Sequence, residues 1–454
     1  MTALFAKTAL LPAGWAQDVR VILANGRITG VSKGVRPEQE DQNVDVLLPA
    51  PANLHSHTFQ RAMAGMAEHR TAGQDSFWTW RDLMYRFLDR LTPEQIQAIA
   101  AQAFIETLEA GFASIGEFHY LHHAPGGMPY DVPAELSVRI AAAAADTGIG
   151  LTHLPVLYMQ GGSDGRDLIG GQLRFGNTLD GFADLLDRTQ RAVATVAPDA
   201  ATGVAPHSLR AVPVEALTHA TTLRPDAPFH IHIAEQRAEV VEILATHGAT
   251  PVKWLLEILE VDARWCLIHA THMTPAETEG LARSGAVTGL CPITESNLGD
   301  GIFDGARFAG AGGRFGVGSD SNVRISLTEE LRTLEYSQRL QGKARAVLAE
   351  EDISTGRFLF DQACRSGAQA LGRKAGQITE GYWADLLALD TDHLALAGLV
   401  EDQLLDGWIF AGDDRAVTDV WSAGRHVVRG GRHKDRDSVE AAYRHAIADL
   451  RAAL

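Results

Sequence analysis

DVLLPAPANLHSH, residues 45–57, runs apolar for most of its length and closes on two histidines, His55 and His57. Two residues apart on an extended chain, they share one face, with Ser56 turned away from it. Seven more stretches have the same texture: ASIGEFHY (113–120), GIGLTHLPVLY (148–158), ATGVAPHSL (201–209), PFHIHIAE (228–235), RWCLIHATH (264–272), AVTGLCPIT (286–294) and RFGVGSDS (314–321). Between them lie segments with apolar residues at helical period, such as PEQIQAIAAQAFIETLEAG (93–111) and PVKWLLEILE (251–260). Eight strand-then-helix units predict an α/β fold, a (β/α)8 TIM-like barrel rather than an open sheet.

The flanks read differently. VRVILANGRITGV (19–31) alternates apolar and polar positions about Asn25-Gly26, a hairpin signal. AGQITEGYWADLLALD (375–390) and VTDVWSAGRHVVRGG (417–431) are strand-like with turn glycines. A helix is expected after them over about 438–454, with Asp437 as its cap and Glu440 three residues on. The expected organisation is a small β-sandwich domain composed from both termini, 1–48 and 376–454, around a catalytic barrel over 49–375. A chain of 454 residues suits this plan, since barrels run to roughly 250 residues and beyond with insertions.

The composition, 46% hydrophobic and 21% charged, is that of a chain with a large core to bury. A net charge of −17 with no basic run argues against nucleic acid and anionic membranes as partners. No apolar run reaches the ~20 residues that span a bilayer. The opening MTALFAKTALLPAGW has no secretory core, so a cytoplasmic location is expected. Cys266, Cys291 and Cys364 lie far apart without a CxxC pair, which disfavours a disulfide framework or a thiolate metal site. Any metal must then be held by histidine and carboxylate.

In a barrel the chemistry gathers at the C-terminal strand ends. His55 and His57 close strand one, His232 lies on strand five, His269 ends strand six and Asp320 follows strand eight. One such histidine would pass as a core residue; four with a carboxylate at corresponding positions predict a site. Three neutral imidazoles and a carboxylate leave a divalent ion positive enough to acidify a water, with Zn2+ preferred and Fe2+ or Mn2+ also accepted. His122 and His123 are expected to be solvent-facing or structural, His230 to be structural or to stand behind the ligands, and His272 to be a loop residue.

LHSH, the His-x-x-Glu of HIHIAE, HATH, GVGSDS and ITEGYWADLLALD together resemble the amidohydrolase superfamily in its mononuclear deaminase branch, over nearly the whole chain. The resemblance implies His55, His57, His232 and Asp320 as metal ligands, and Glu235, His269 and Asp320 as catalytic residues. Dinuclear members place a carboxylated lysine after strand four; here APHS (205–208) stands there, so a single metal is expected. More narrowly, NLHSHTFQRAMAGMAE, DSFWTWRDLMYR, EFHYLHH, HSLRAV, HIHIAEQ and TESNLGDGIF resemble the formimidoylglutamate deiminases of histidine degradation. Those hydrolases convert N-formimino-L-glutamate to N-formyl-L-glutamate and ammonia. The resemblance implies a homodimer, a small anionic substrate, and contacts to it from Gln60, Arg81, Tyr120, His207 and Arg210. Arginines at 81 and 210 suit two carboxylates. The alternative, a deaminase of guanine or a related heterocycle, would ask for aromatic stacking and amide-type edge readers instead. In the implied chemistry a metal-activated water gives its proton to Asp320, assisted by His269, and Glu235 protonates the departing nitrogen. The pattern departs at Asn322, where a histidine is commoner.

Overall fold

The computed structural model describes residues 2–68 and 77–453. Four strands open the chain: β1 (Thr2–Leu11), β2 (Gly14–Ala24), β3 (Arg27–Ser32) and β4 (Gln42–Pro49). Asn25 and Gly26, at φ 51° and 78°, form the two-residue turn from β2 to β3. The stretch at 45–57 is two strands and not one. Pro49 and Pro51 lack the amide that a central ladder needs, so the chain leaves one sheet there and enters the barrel as β5 (Ala52–Ser56).

The barrel continues with β6 (Ser114–His119), β7 (Gly150–Leu157), β8 (Ala201–Thr202), β9 (Ala205–Pro206), β10 (Phe229–Ile233), β11 (Trp265–His269), β12 (Val287–Leu290) and β13 (Arg314–Val317). Their pairings are all parallel. Bridges Val204–Phe229 and Ser208–His232 join the two halves, and Ser56–Asp320 closes the ring. The expected strand four is interrupted at Gly203, where a Cβ would stand 2.5 Å from the Leu154 side chain and 2.7 Å from the Pro228 carbonyl. Between β5 and β6, the helix Pro93–Glu109 starts in a reciprocal Thr92–Gln95 cap and buries Ile96, Ile99 and Phe104.

Strands β14 (Leu386–Leu389), β15 (Val417–Ser422), β16 (Arg425–Arg429) and β17 (Arg432–His433) join β1–β4 in one eight-stranded sheet, ordered β17-β16-β15-β14-β4-β1-β2-β3. Its side chains alternate with the period of a strand. Leu47, Leu386, Ala388 and Trp421 pack with Leu4, Ala6 and Val21 in a core of the sheet's own. Val46, Leu48, Leu387 and Leu389 face the other way, into the barrel's core. The last helix is Arg436–Ala453, beginning two residues before the expected 438. Asp437 does not cap it: its carboxylate accepts from Arg432 instead.

The sheet is pinned to the N-terminal end of the barrel by a buried ion network. Arg373 donates to Asp385 at 2.5 and 2.9 Å and to the Asp199 carboxylate at 2.8 Å. Arg425 adds two bonds to Asp199, at 2.6 and 2.8 Å, and Asp385 also accepts from the Ala423 amide at 2.7 Å.

Candidate active site

The closure between β5 and the chain after β13 sets the site. The His57 amide donates to the Asp320 carbonyl at 2.9 Å and the Asp320 amide to the His55 carbonyl at 3.0 Å. So close an approach requires Gly318, where a Cβ would meet the His55 backbone at 2.6 Å. Asp320 Oδ1 consequently lies 3.3 Å from both His55 Nε2 and His57 Nε2, and His232 Nε2 lies 3.1 Å from His55 Nε2. His57 Nδ1–H donates to the Phe118 carbonyl at 2.8 Å, and His232 Nδ1–H to the His207 carbonyl at 3.1 Å. Both Nε2 atoms therefore present lone pairs to the same point. Burial, together with the neighbouring histidines, holds His55 and His232 well below the usual imidazole range; burial also lowers His57, against the pull of Asp320. Four converging donors within 4.8 Å of one another fit one divalent cation. Ligand bonds of ~2.0–2.1 Å at tetrahedral angles separate donors by about 3.3 Å.

A second group stands beside the first. His269 Nε2 is 3.9 Å from Glu235 Oε1, and its Nδ1–H donates to Glu295 Oε1 at 3.2 Å. Burial pushes Glu235 up to about 7 against the pull of His269. For His269 burial favours the neutral ring, but Glu235, Glu295 and Asp320 outweigh it and raise it to about 10. Asp300 is raised by burial and by the charge of Glu235, and accepts from the Gln236 amide nitrogen. The backbone is strained here too. Ala234, His269, Ala270, Asp320 and Asn322 all have φ between 44° and 69°, a region that non-glycine residues enter only where the surroundings hold them.

Above these groups opens a cavity with about 620 Å³ of atom-free space, part of it open to solvent. His57, His232, Glu235, His269 and Asp320 form its floor, and Gln60, Arg81, Tyr120, His207 and Arg210 line its walls. Gln60 Nε2 donates to the Tyr120 hydroxyl at 2.7 Å, which in turn donates to Met84 Sδ at 3.4 Å. Arg210 is buried among Glu239, Tyr158 and Glu235, which keep it charged against the cost of burial. Both guanidiniums, Arg210 and Arg81, act on His207 and, with burial, hold it neutral.

Residues 46–427 match the amidohydrolase family, and residues 1–44 match the N-terminal domain of formimidoylglutamate deiminase HutF. The chain belongs to the amidohydrolase family. Within that family it is 49% identical over 453 residues, 99% of this chain and 100% of the relative, to the formimidoylglutamate deiminase of Pseudomonas aeruginosa. An amidohydrolase from Brucella melitensis, known from its crystal structure, superposes with a TM-score of 0.96 at 48% identity, covering 99% of this chain and 100% of that one. An adenosine deaminase from Xanthomonas campestris with bound zinc shares the fold at 21% identity, with a TM-score of 0.83 over 99% of this chain and 98% of that one. This member of the family is accordingly a hydrolase with a His/His/His/Asp metal-binding group.

All the sequence-predicted site residues of this family member come together on one cavity or its floor. Four further histidines engage backbone carbonyls. His122, His123 and His230 donate to the carbonyls of Val156, Gly176 and Ala370, and His272 to that of Asp300. Arg61, next to Gln60, is held by Glu106 at 2.6 Å. Asn322 replaces the commoner histidine without loss of partners: it donates to Ser56 Oγ and the Asp320 carbonyl, both at 3.0 Å, and accepts from Ser319 Oγ at 2.6 Å. Asparagine also tolerates the left-handed backbone found there. Sequence reasoning missed Trp80, Met84, Tyr85, Tyr158, Phe175 and Leu298 on the cavity wall, and Glu295 and Asp300 behind it. Met84 and Tyr85 follow Arg81 at i+3 and i+4 of the helix Phe77–Leu88, a spacing that marks one face. Phe175 carries no such signal. Asp75 and Ser76, which begin the stretch DSFWTWRDLMYR, lie outside the described residues.

Proposed function

We propose that the cavity takes N-formimino-L-glutamate and that its floor hydrolyses the formimino C=N bond, yielding N-formyl-L-glutamate and ammonia. The observation that carries this is polarity: Arg81 and Arg210 stand on the wall of the cavity whose floor holds the histidine–carboxylate group. A molecule with two carboxylates and a small amidine-like head matches that arrangement, since guanidinium recognises carboxylate bidentately. The 49%-identical relative named for formimidoylglutamate supports the same substrate.

In this proposal His55, His57, His232 and Asp320 hold one divalent ion, zinc by the preference of the donor set, with Fe2+ or Mn2+ also accommodated. Bound there, it supplies Lewis-acid activation of a water. The Asp320 carboxylate accepts a proton from the attacking water, while His269 Nε2–H donates a hydrogen bond toward the developing charge. Glu235 carries a proton to the formimino nitrogen, a task suited to a carboxyl held at about 7. The proton held by Asp320 then passes to the same nitrogen, the carbon–nitrogen bond to it breaks, and the hydroxyl proton goes to Glu235 as the carbonyl forms. Ammonia thus departs while the other nitrogen stays on glutamate, and both carboxyl groups are restored. Gln60, Tyr120 and His207 orient the head group. Resemblance to the family further supports a homodimer.

Ammonia release and product identification on metal-replete protein test the proposal, with N-formimino-L-glutamate and guanine compared side by side. Formylglutamate with equimolar ammonia is the expected outcome. Free glutamate as product, or faster turnover of guanine, would sink it.

A further inference from the structure

Glu295 has no role assigned by the sequence, yet it is buried and its Oε1 accepts two bonds. One comes from the Cys291 amide at 2.8 Å and the other from His269 Nδ1–H at 3.2 Å. The residue sits on the short helix Pro292–Leu298, whose exit is tied back by the Asp300 amide donating to the Glu295 carbonyl at 2.9 Å. The oxygen that meets His269 is therefore pinned from its own backbone. His269 in turn stands at φ 69°, followed by Ala270 at 49°, a conformation held by its surroundings. Glu235 lies on the Nε2 side of the ring, and Asp300 is engaged by Gln236.

We propose that Glu295 is a positioning residue for this reaction, holding the His269 ring in the one orientation that presents Nε2 to the cavity. The inference rests on His269 acting as a catalytic residue in the function proposed above. Position matters here more than charge, because the accepting oxygen is fixed by the Cys291 amide. That amide also favours the oxygen over the nitrogen of a glutamine side chain at this point.

The test measures kcat, KM and bound metal in Glu295→Gln, Glu295→Asp and Glu295→Ala, beside His269→Asn. Glutamine keeps an oxygen in place; aspartate keeps the charge but withdraws it by one carbon–carbon bond, about 1.5 Å. The expected order of kcat is wild type, Gln, Asp, Ala, with Gln within about tenfold of wild type and Ala lower by about 10²-fold or more. KM and metal content stay at wild-type levels throughout. Aspartate above glutamine overturns the proposal, as does a fall of metal content in step with kcat. If Glu295→Ala fails to fold, the order of the other two decides. Retained turnover in His269→Asn would remove the catalytic reading of His269 and this inference with it. An inactive His269→Asn beside a fully active Glu295→Ala would remove this inference alone.

Discussion

The two ends of the barrel treat buried charge in opposite ways. At the N-terminal end, Arg373 lies between Asp199 and Asp385, and Arg425 completes the set. Asp199 is drawn down to about 2 by Arg425 and Arg373 despite its burial. At the C-terminal end like meets like: imidazole nitrogens converge at 3.1 Å, and Glu235, Glu295, Asp300 and Asp320 crowd about a single imidazolium. Five non-glycine residues there also hold left-handed backbone. One end stabilises the fold by pairing. The other keeps like groups together, an arrangement that the proposed cation and substrate would complete.

The sharpest break in that contrast is chemical. Asp320→Asn or Glu235→Gln should lower turnover by about 10³-fold or more in protein that still unfolds cooperatively, as read by ammonia release and calorimetry. At the other end the effects reverse. Asp199→Ala should destabilise by about 3 kcal/mol, because it leaves Arg373 and Arg425 short of a partner, while kcat per folded molecule holds. Denaturant unfolding with parallel activity measurements separates the two, and loss of kcat without loss of stability would erase the division. On the cavity wall, Arg210→Ala should raise KM by about 10²-fold, and half-buried Arg81→Ala by about tenfold, with smaller changes in kcat.

The smallest effect is one of pH. Glu235 is raised from 4.5 to about 7, so its contribution to stability is complete below 4.5 and is lost as pH rises through 7. Asp199 is lowered from 3.8 to about 2, so its contribution is present above 3.8 and is lost only as pH falls toward 2. At the active-site end of chelator-treated protein Glu235 is opposed by His55, His57, His207 and His232, whose imidazoles are held below 6.5 and so add stability as pH rises toward 6.5. Four groups against one predict a net gain in thermal stability from pH 5 to about 6.5. Glu235→Gln should steepen that rise in a Tm series, and an unchanged slope would take Glu235 out of it.

Much of the upper end was legible because its signals are local. A short apolar run that ends in His55 and His57, or in Asp320, announces a strand and its functional tip within a few residues. Glu295 was not legible, though it stands inside the quoted TESNLGDGIF, because its partner His269 lies on a different strand and only packing brings them together. Tyr158 and Phe175 look like ordinary core residues, since aromatic wall and aromatic core have the same composition. The ion network below was equally hidden: Asp199, Arg373, Asp385 and Arg425 come from four separate segments and follow no periodicity. The boundary at Pro49 and Pro51 was written in the chain but masked by apolar residues on both sides.

By itself, the sequence determined the eightfold alternation, the family, and the kinds of donor available to a metal, because periodicity and strand-end chemistry are properties of neighbouring residues. The tertiary structure decided that these donors meet. Parallel strands closing into a ring bring β5 against the chain after β13, and so set Asp320 Oδ1 at 3.3 Å from two histidines of the first barrel strand. It also decided which carboxylate accepts from His269, and which charges gather in the ion network and which line the cavity. Those outcomes depend on burial and on contacts between distant segments, which no local pattern encodes.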